Sequence, residues 1–244
     1  MVTYVYGFHP VVEILTFQPL KIETLILAKE IKTGKKQKLL TLAQKKAVSV
    51  KIRPRIYLDK LLEKTAQKPV HQGIIAVLKE FPYSKLETVI KSHLLLALDH
   101  IQDPQNLGNI IRSACAFGVD GIILPKDRSA SITSSVIKAS AGTVIHMPVV
   151  RIANLAQTLN KLKTKGFWIV GTVVKDGTPL WDFKPPSPLV VVIGQEQKGL
   201  SRLIREKCDF LITIPMQNNI ASLNAAVATA VCLYEIFAKI KGHE

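Results

Sequence analysis

Hydrophobic and polar positions follow two regimes along the chain. Up to about residue 80 the periodic segments are short and mixed. They predict a helix from Pro10 to Leu15, a strand at Thr24–Ala28, a polar lysine-rich turn at Lys32–Lys38 and a helix around Leu39–Lys46. A strand near Ser49–Ile52, a helix near Tyr57–Lys64 and a strand at Ile74–Leu78 follow. From Leu94 onward, continuous apolar runs alternate with amphipathic stretches. The runs Leu94–Leu98, Gly121–Leu124, Val144–Val150, Phe167–Val173 and Leu189–Ile193 read as buried strands. Ile110–Phe117, Ser131–Ala139 and Leu155–Lys163 read as the helices between them. The stretch 99–109, DHIQDPQNLGN, reads as a loop, and Asp176–Pro188, with four prolines, as an exposed connection. Strands alternating with helices predict a mainly parallel sheet covered on both faces. The expected organisation is a small α/β unit over residues 1–80, a linker over 81–93, and a larger α/β domain over 94–244.

Composition narrows the setting. No unbroken apolar run is long enough to span a bilayer. The opening MVTYVYGFHPVVEIL lacks the order of a secretory signal, so a cytoplasmic protein without membrane association is expected. Cys115, Cys208 and Cys232 are odd in number and far apart, matching neither a disulfide framework nor a zinc pattern, and packing is their expected role. The net charge is +15, and residues 1–93 carry 17 basic against 7 acidic side chains. Such an excess is the footprint of a polyanion binder, and equally of a lysine-rich solvated surface. Two features of this segment are candidate phosphate contacts: Gly34 among Lys32, Lys35, Lys36 and Lys38, and Arg53 with Arg55 on either side of Pro54.

Three stretches of the larger domain carry candidate chemistry. In residues 103–125, Asp103-Pro104 opens a turn, Asn106 and Asn109 lie near a helix start, and Arg112 falls one turn inside it. Asn106 could simply cap that helix. An arginine in a first turn opposes the helix dipole and wants an anion or acceptor nearby. In residues 193–199, IGQEQKG, neither the GxxxxGK[ST] nor the GxGxxG spacing is present, which removes the main support for ATP- or NAD-type readings. Gly194 at a strand end permits close approach of backbone to a ligand, and Glu196 sits exposed between two glycines. Alone, Glu196 would be read as a surface carboxylate. In residues 214–236, Ser222 is placed to cap an apolar helix running from Ala225 to Ile236, with Asn224 in its first turn. The two loops beyond Ile193 and Ile214 can face one pocket, because ligands in α/β sheets bind beyond the carboxyl ends of strands.

Taken together, NLGNIIRSACAFG, VVVIGQEQKGLSRL and IPMQNNIASLNAAVATAVCLYE resemble, in order, the three motifs of the SpoU/TrmH family of RNA ribose 2′-O-methyltransferases, within the knotted SPOUT class. The resemblance spans residues 94–238. YGFHPVVEIL at residues 6–15 resembles the opening of the small RNA-binding domain of the ribosomal-RNA branch.

The resemblance implies an α/β trefoil knot with a mainly parallel sheet, preceded by a small α/β RNA-binding domain. It also implies S-adenosyl-L-methionine as methyl donor and a homodimer. It places Gly194, Ile214 and Leu223 at donor-contacting positions, with Thr172 on the pocket wall. Asn106, Arg112, Glu196 and Asn224 take the polar active-site positions, with Arg112 nearest the ribose hydroxyl. A role for Arg112 as base opposes a guanidinium's very high pKa. No metal is implied. The family commonly has glycine where Gln197 and Asn218 stand, which bears on loop shape. Ribosomal RNA is the expected substrate, in particular a guanosine in the peptidyl-transferase P loop of 23S rRNA. Transfer RNA, another large-subunit site, or a non-catalytic RNA-binding role are the alternatives.

Overall fold

The computed structural model describes residues 3–63, 70–78, 81–195, 198–217 and 222–242. In chain order these form β1 (Thr3–Tyr6), α1 (Phe8–Phe17), β2 (Ile22–Ala28), α2 (Thr33–Lys45), β3 (Val50–Arg53), α3 (Arg55–Leu62) and β4 (Ile74–Leu78). Next come β5 (Leu94–Asp99), α4 (Pro104–Ala116), β6 (Gly121–Pro125), α5 (Ser134–Ala139), β7 (Val149–Ile152), α6 (Leu155–Lys163) and β8 (Trp168–Thr172). The chain continues through β9 (Thr178–Pro179), β10 (Leu189–Gly194), α7 (Arg202–Arg205), β11 (Phe210–Thr213) and α8 (Ala225–Ile240). Contacts divide them into two units, Met1–Pro82 with Ile132–His146, and Tyr83–Ser131 with Met147–Glu244. Among the described residues no helix is long and apolar enough to cross a membrane.

The first unit is built on a four-stranded mixed sheet of order β1-β4-β2-β3, in which only the β2/β3 pair is parallel. One cluster, Tyr6, Ile26, Ala28, Leu58, Leu62 and Ile75, anchors α3 by its buried leucines. Residues 132–146 belong to this unit through hydrogen bonds and not only by contact. Ser134 Oγ accepts from the Tyr4 backbone N–H at 3.2 Å, and the His146 ring lies 2.7 Å from the Glu13 carboxylate. The strand expected at Val144–Val150 therefore begins only at Val149. Gly142, at φ +88°, turns the chain, and buried Val144 and Ile145 fill a short 3₁₀ turn instead. Likewise Lys35, Lys36 and Lys38 lie on the first turns of α2, not on the expected turn.

The second unit has a seven-stranded, wholly parallel sheet of order β7-β6-β5-β10-β8-β11-β9. Every residue of β5 and β10 is buried, as continuous apolar runs require of strands covered on both faces. The two pair in register from Leu189 opposite Leu94 to Gly194 opposite Asp99, so they end flush. On one face, Leu155, Leu159, Leu162 and Ile204 of α6 and α7 join a core with Ile123, Ile169, Val190 and Val192. Helices α4 and α8 pack together, with Leu107, Ile110, Ile111 and Ala114 buried on α4 and Ala225, Cys232, Leu233 and Ile236 buried on α8. The α/β class and the mainly parallel sheet are as the sequence predicts.

One helix start differs in a way that matters for chemistry. Helix α4 begins at Pro104, inside the stretch expected to be loop. Asp103 is its N-cap, accepting from the backbone N–H groups of Gln105 at 3.2 Å and Asn106 at 3.1 Å. Proline at the first helical position is pre-set for the helix and lacks only a hydrogen that would be unpaired there. Arg112 consequently lies in the third turn, and the first-turn dipole argument for it does not hold.

Candidate active site

Beyond the carboxyl ends of β8, β10 and β11 lies a cleft open to solvent. Its wall carries all four positions expected to contact a donor: Thr172, Gly194, Ile214 and Leu223. Parallel pairing of β10 with β8, and of β8 with β11, sets these strand ends side by side. The loop after β10 doubles back tightly. Gly199 donates its N–H to Gln195 O at 2.9 Å and holds φ +64°. A Cβ on Gly194 would stand 2.2 Å from Gly199 C and 2.4 Å from Leu200 N. The position admits only hydrogen because backbone fills the space. Thr172 turns its hydroxyl to Val192 O at 3.3 Å, so it braces β8 against β10.

Met216, which sequence reasoning passed over, also lines the cleft, and no lysine or arginine does so among the described residues. Apolar side chains and close backbone suit a neutral ring and a short flexible chain, and they offer no clamp for a phosphate. S-adenosylmethionine has no phosphate, and the lining fits it.

Two of the four polar positions, Asn106 and Asn224, fall at the starts of α4 and α8. Asn224, not Ser222, caps α8: its Oδ1 accepts from Ala226 N at 2.9 Å and Val227 N at 3.4 Å. Its Nδ2 donates to Asn106 Oδ1 at 3.0 Å. The two asparagines singled out from separate motifs are thus one hydrogen-bonded pair. Arg112 is not brought to them. It is exposed, and six residues along α4 place it about 9 Å farther up the axis and on another face. Glu196, Gln197 and Asn218 lie outside the described residues.

Asp99 was missed. It ends the apolar strand LLLALD, is 1% exposed, and accepts from Ser201 N at 2.8 Å through Oδ2. Its Oδ1 is 2.6 Å from His100 Nδ1. The buried carboxylate ties the end of β5 to the chain that leaves the glycine loop, setting the path of that loop. The signal available in the sequence was a carboxylate continuing a buried run, which requires partners. The thiols of Cys208 and Cys232 are each pushed up to about 12, in both cases chiefly by burial, which leaves them protonated and unreactive.

Comparison with known proteins gives the same outline. The model of the SpoU rRNA Methylase family matches residues 93–234, and that of RNA 2′-O ribose methyltransferase substrate binding matches residues 4–84. A Bacillus subtilis protein assigned to the TrmH family of tRNA/rRNA methyltransferases is 39% identical over 246 residues, covering 97% of this chain and 95% of the relative. The SpoU methyltransferase AviRb of Streptomyces viridochromogenes, solved with AdoMet, superposes with a TM-score of 0.83 at 26% identity, over 99% of this chain and 91% of that one. An AdoMet-bound rRNA methyltransferase of Sinorhizobium meliloti gives 0.82 at 25% identity, over 96% and 86%.

Proposed function

The chain belongs to the SpoU RNA methylase family, and on that premise we propose that it methylates a ribose 2′-hydroxyl of a guanosine in the peptidyl-transferase P loop of 23S rRNA. It is an S-adenosylmethionine-dependent RNA methyltransferase of the TrmH/SpoU type. The observation that carries the site assignment is the single cleft holding Thr172, Gly194, Ile214 and Leu223. Support for ribosomal RNA comes from the substrate-binding match over residues 4–84 and the basic excess of the same segment.

When bound, S-adenosylmethionine supplies a methyl group on a positively charged sulfur, already electrophilic enough to leave alignment as the protein's main task. The cleft's apolar walls and the bare backbone at Gly194 hold the donor and exclude water. Asn106 and Asn224, joined by their hydrogen bond, tie the start of α4 to the start of α8 and orient the substrate. Arg112 holds the phosphate beside the target ribose and, with Glu196, positions the 2′-hydroxyl for loss of its proton. The C-terminal segment threads an earlier loop to form the knot. A second copy packs on α8, whose outer stripe Val227, Val231 and Tyr234 is 51%, 40% and 58% exposed.

Mapping ribose methylation in ribosomal and transfer RNA, with and without the gene, tests the substrate. Loss of one 2′-O-methylguanosine in the P loop is the expected result. A loss confined to transfer RNA would move the activity there, and absence of donor binding by calorimetry would leave only a binding factor.

A further inference from the structure

We infer that the outer edge of the first unit, formed by β3 and the first turn of α3, binds unstacked nucleotides of the RNA substrate. This rests on the reading of the chain as an RNA methyltransferase. Residues 51–57, Lys-Ile-Arg-Pro-Arg-Ile-Tyr, are all exposed although six of them lie in regular structure. A strand in a two-layer unit ordinarily buries one face. Here β3 is the last strand of its sheet, paired only with β2, and neither face of Lys51–Arg53 is covered. Helix α3 is held in place from below by buried Leu58 and Leu62, so its first turn is presented on a rigid support.

Two properties coincide on this edge. The first is charge. Lys51, Arg53 and Arg55 make no ion pair with a described residue, and no acidic residue occurs between Glu30 and Asp59. Asp59 is itself engaged 2.8 Å from the His71 ring. Besides Asp59, which is exposed, Glu30 and Glu63 are the next exposed carboxylates in sequence, against Lys29, Lys51, Arg53, Arg55 and Lys60. The second is exposed apolar area. Ile52, Ile56 and Tyr57 are 40%, 65% and 43% exposed, three of the five large apolar side chains that the described first unit exposes before residue 82. The Arg53 guanidinium lies 6.0 Å from the centre of the Tyr57 ring.

A solvated basic face would account for the charges alone, and it would not gather isoleucine and tyrosine among them. An A-form duplex would use the cations and waste the apolar side chains, because its bases are stacked inside and its outer surface is phosphate and ribose. Loops and single-stranded segments offer both phosphates for the three cations and free base faces for Tyr57 and the isoleucines. Pro54, at φ −59° and ψ 149°, keeps the junction extended between the exposed Arg53 and Arg55.

The test uses the full chain, a labelled oligouridine, and an RNA duplex of equal length as competitor. Tyr57→Ala is expected to weaken oligouridine binding about 5- to 160-fold, the range of one lost base–aromatic stack, and Tyr57→Phe to preserve it. Arg53→Ala with Arg55→Ala is expected to flatten the slope of log affinity against log salt by about 1.4, two single-strand phosphate contacts. In methylation assays these variants raise KM for RNA and leave kcat and S-adenosylmethionine affinity unchanged, which also shows that they fold. Unaltered RNA binding by the alanine variants, or better competition by the duplex than by unlabelled oligouridine, overturns the inference. An extended peptide that competes fully where RNA does not would assign the open strand edge to protein. Wild-type chain that methylates RNA normally while these variants match it sinks the inference alone; wild type without methylation of any RNA sinks the functional reading as well.

Discussion

Asn224 and Asn106 share a 3.0 Å hydrogen bond, joining the N-cap of α8 to the first turn of α4 across 118 positions of chain. Asn224 uses both ends of its amide: the oxygen caps α8, and the nitrogen reaches Asn106. The two roles separate by substitution. Asn224→Ser retains a good capping oxygen and cannot reach α4, so thermal stability should stay within about 0.5 kcal/mol while methyl transfer falls about tenfold or more. Asn224→Ala loses the cap too and should unfold about 1 kcal/mol more easily. Equal activity in Asn224→Ser and the parent would remove the asparagine pair from the site.

Gly194→Ala forces a methyl group into space filled by the backbone of Gly199 and Leu200. Backbone cannot swing aside as a side chain can, so the loop must open. We expect loss of S-adenosylmethionine binding by calorimetry, together with about 1–3 kcal/mol of destabilisation from overpacking. Gly199→Ala is a useful comparison. Its Cβ meets nothing within 4 Å, and the penalty is only that of φ +64°, about 1 kcal/mol.

Lys239 donates to three converging carbonyls, those of Leu180 at 2.9 Å, Trp181 at 2.7 Å and Phe183 at 3.0 Å. Its ammonium closes the turn after β9 and fastens it to α8. Lys239→Met should destabilise the protein by about 2–3 kcal/mol, since the bonds are charge-assisted and the Trp181 and Phe183 carbonyls lose their Lys239 donor, while Leu180 O keeps only the Phe183 N–H. Lys239→Arg should fail to restore the loss, because a planar fork does not match three carbonyls around a point. Chemical denaturation of the three proteins measures this directly.

Buried Cys232 and half-buried Cys208 make stability depend on alkaline pH. Their pKa values are raised in the folded protein to about 12, so the unfolded chain ionises first and is favoured as pH climbs from about 9 toward 12. Cys232→Ala should lessen the steepness of that decline relative to the parent, as read by urea midpoints across the range. In the native protein at neutral pH, both thiols should react with alkylating reagents only after unfolding.

Much of this architecture was legible in the sequence because its signals are local. Continuous apolar runs marked β5, β8 and β10 within a residue of their observed limits, and Leu155–Lys163 was placed without error. The three motifs together pointed to one pocket beyond the strand ends, and the positions expected to line it, Thr172, Gly194, Ile214 and Leu223, do line one cavity. Capping was less legible. Asp103-Pro104 read as a turn because Asp and Pro favour both turns and helix starts, and only the pairing of Asp103 with two backbone N–H groups distinguishes them.

What the sequence determined by itself is therefore the alternation of strands and helices, the basic first segment and the residue types at the candidate site, all set by periodicity and composition over short windows. Tertiary structure alone decided that Asn224 meets Asn106, that Asp99 clamps Ser201, and that Ile132–His146 packs away from its sequence neighbours onto the first unit. Those pairings join residues up to more than a hundred positions apart. Their stability depends on which surfaces remain unfilled once the sheets have formed, and no local pattern of side chains carries that information.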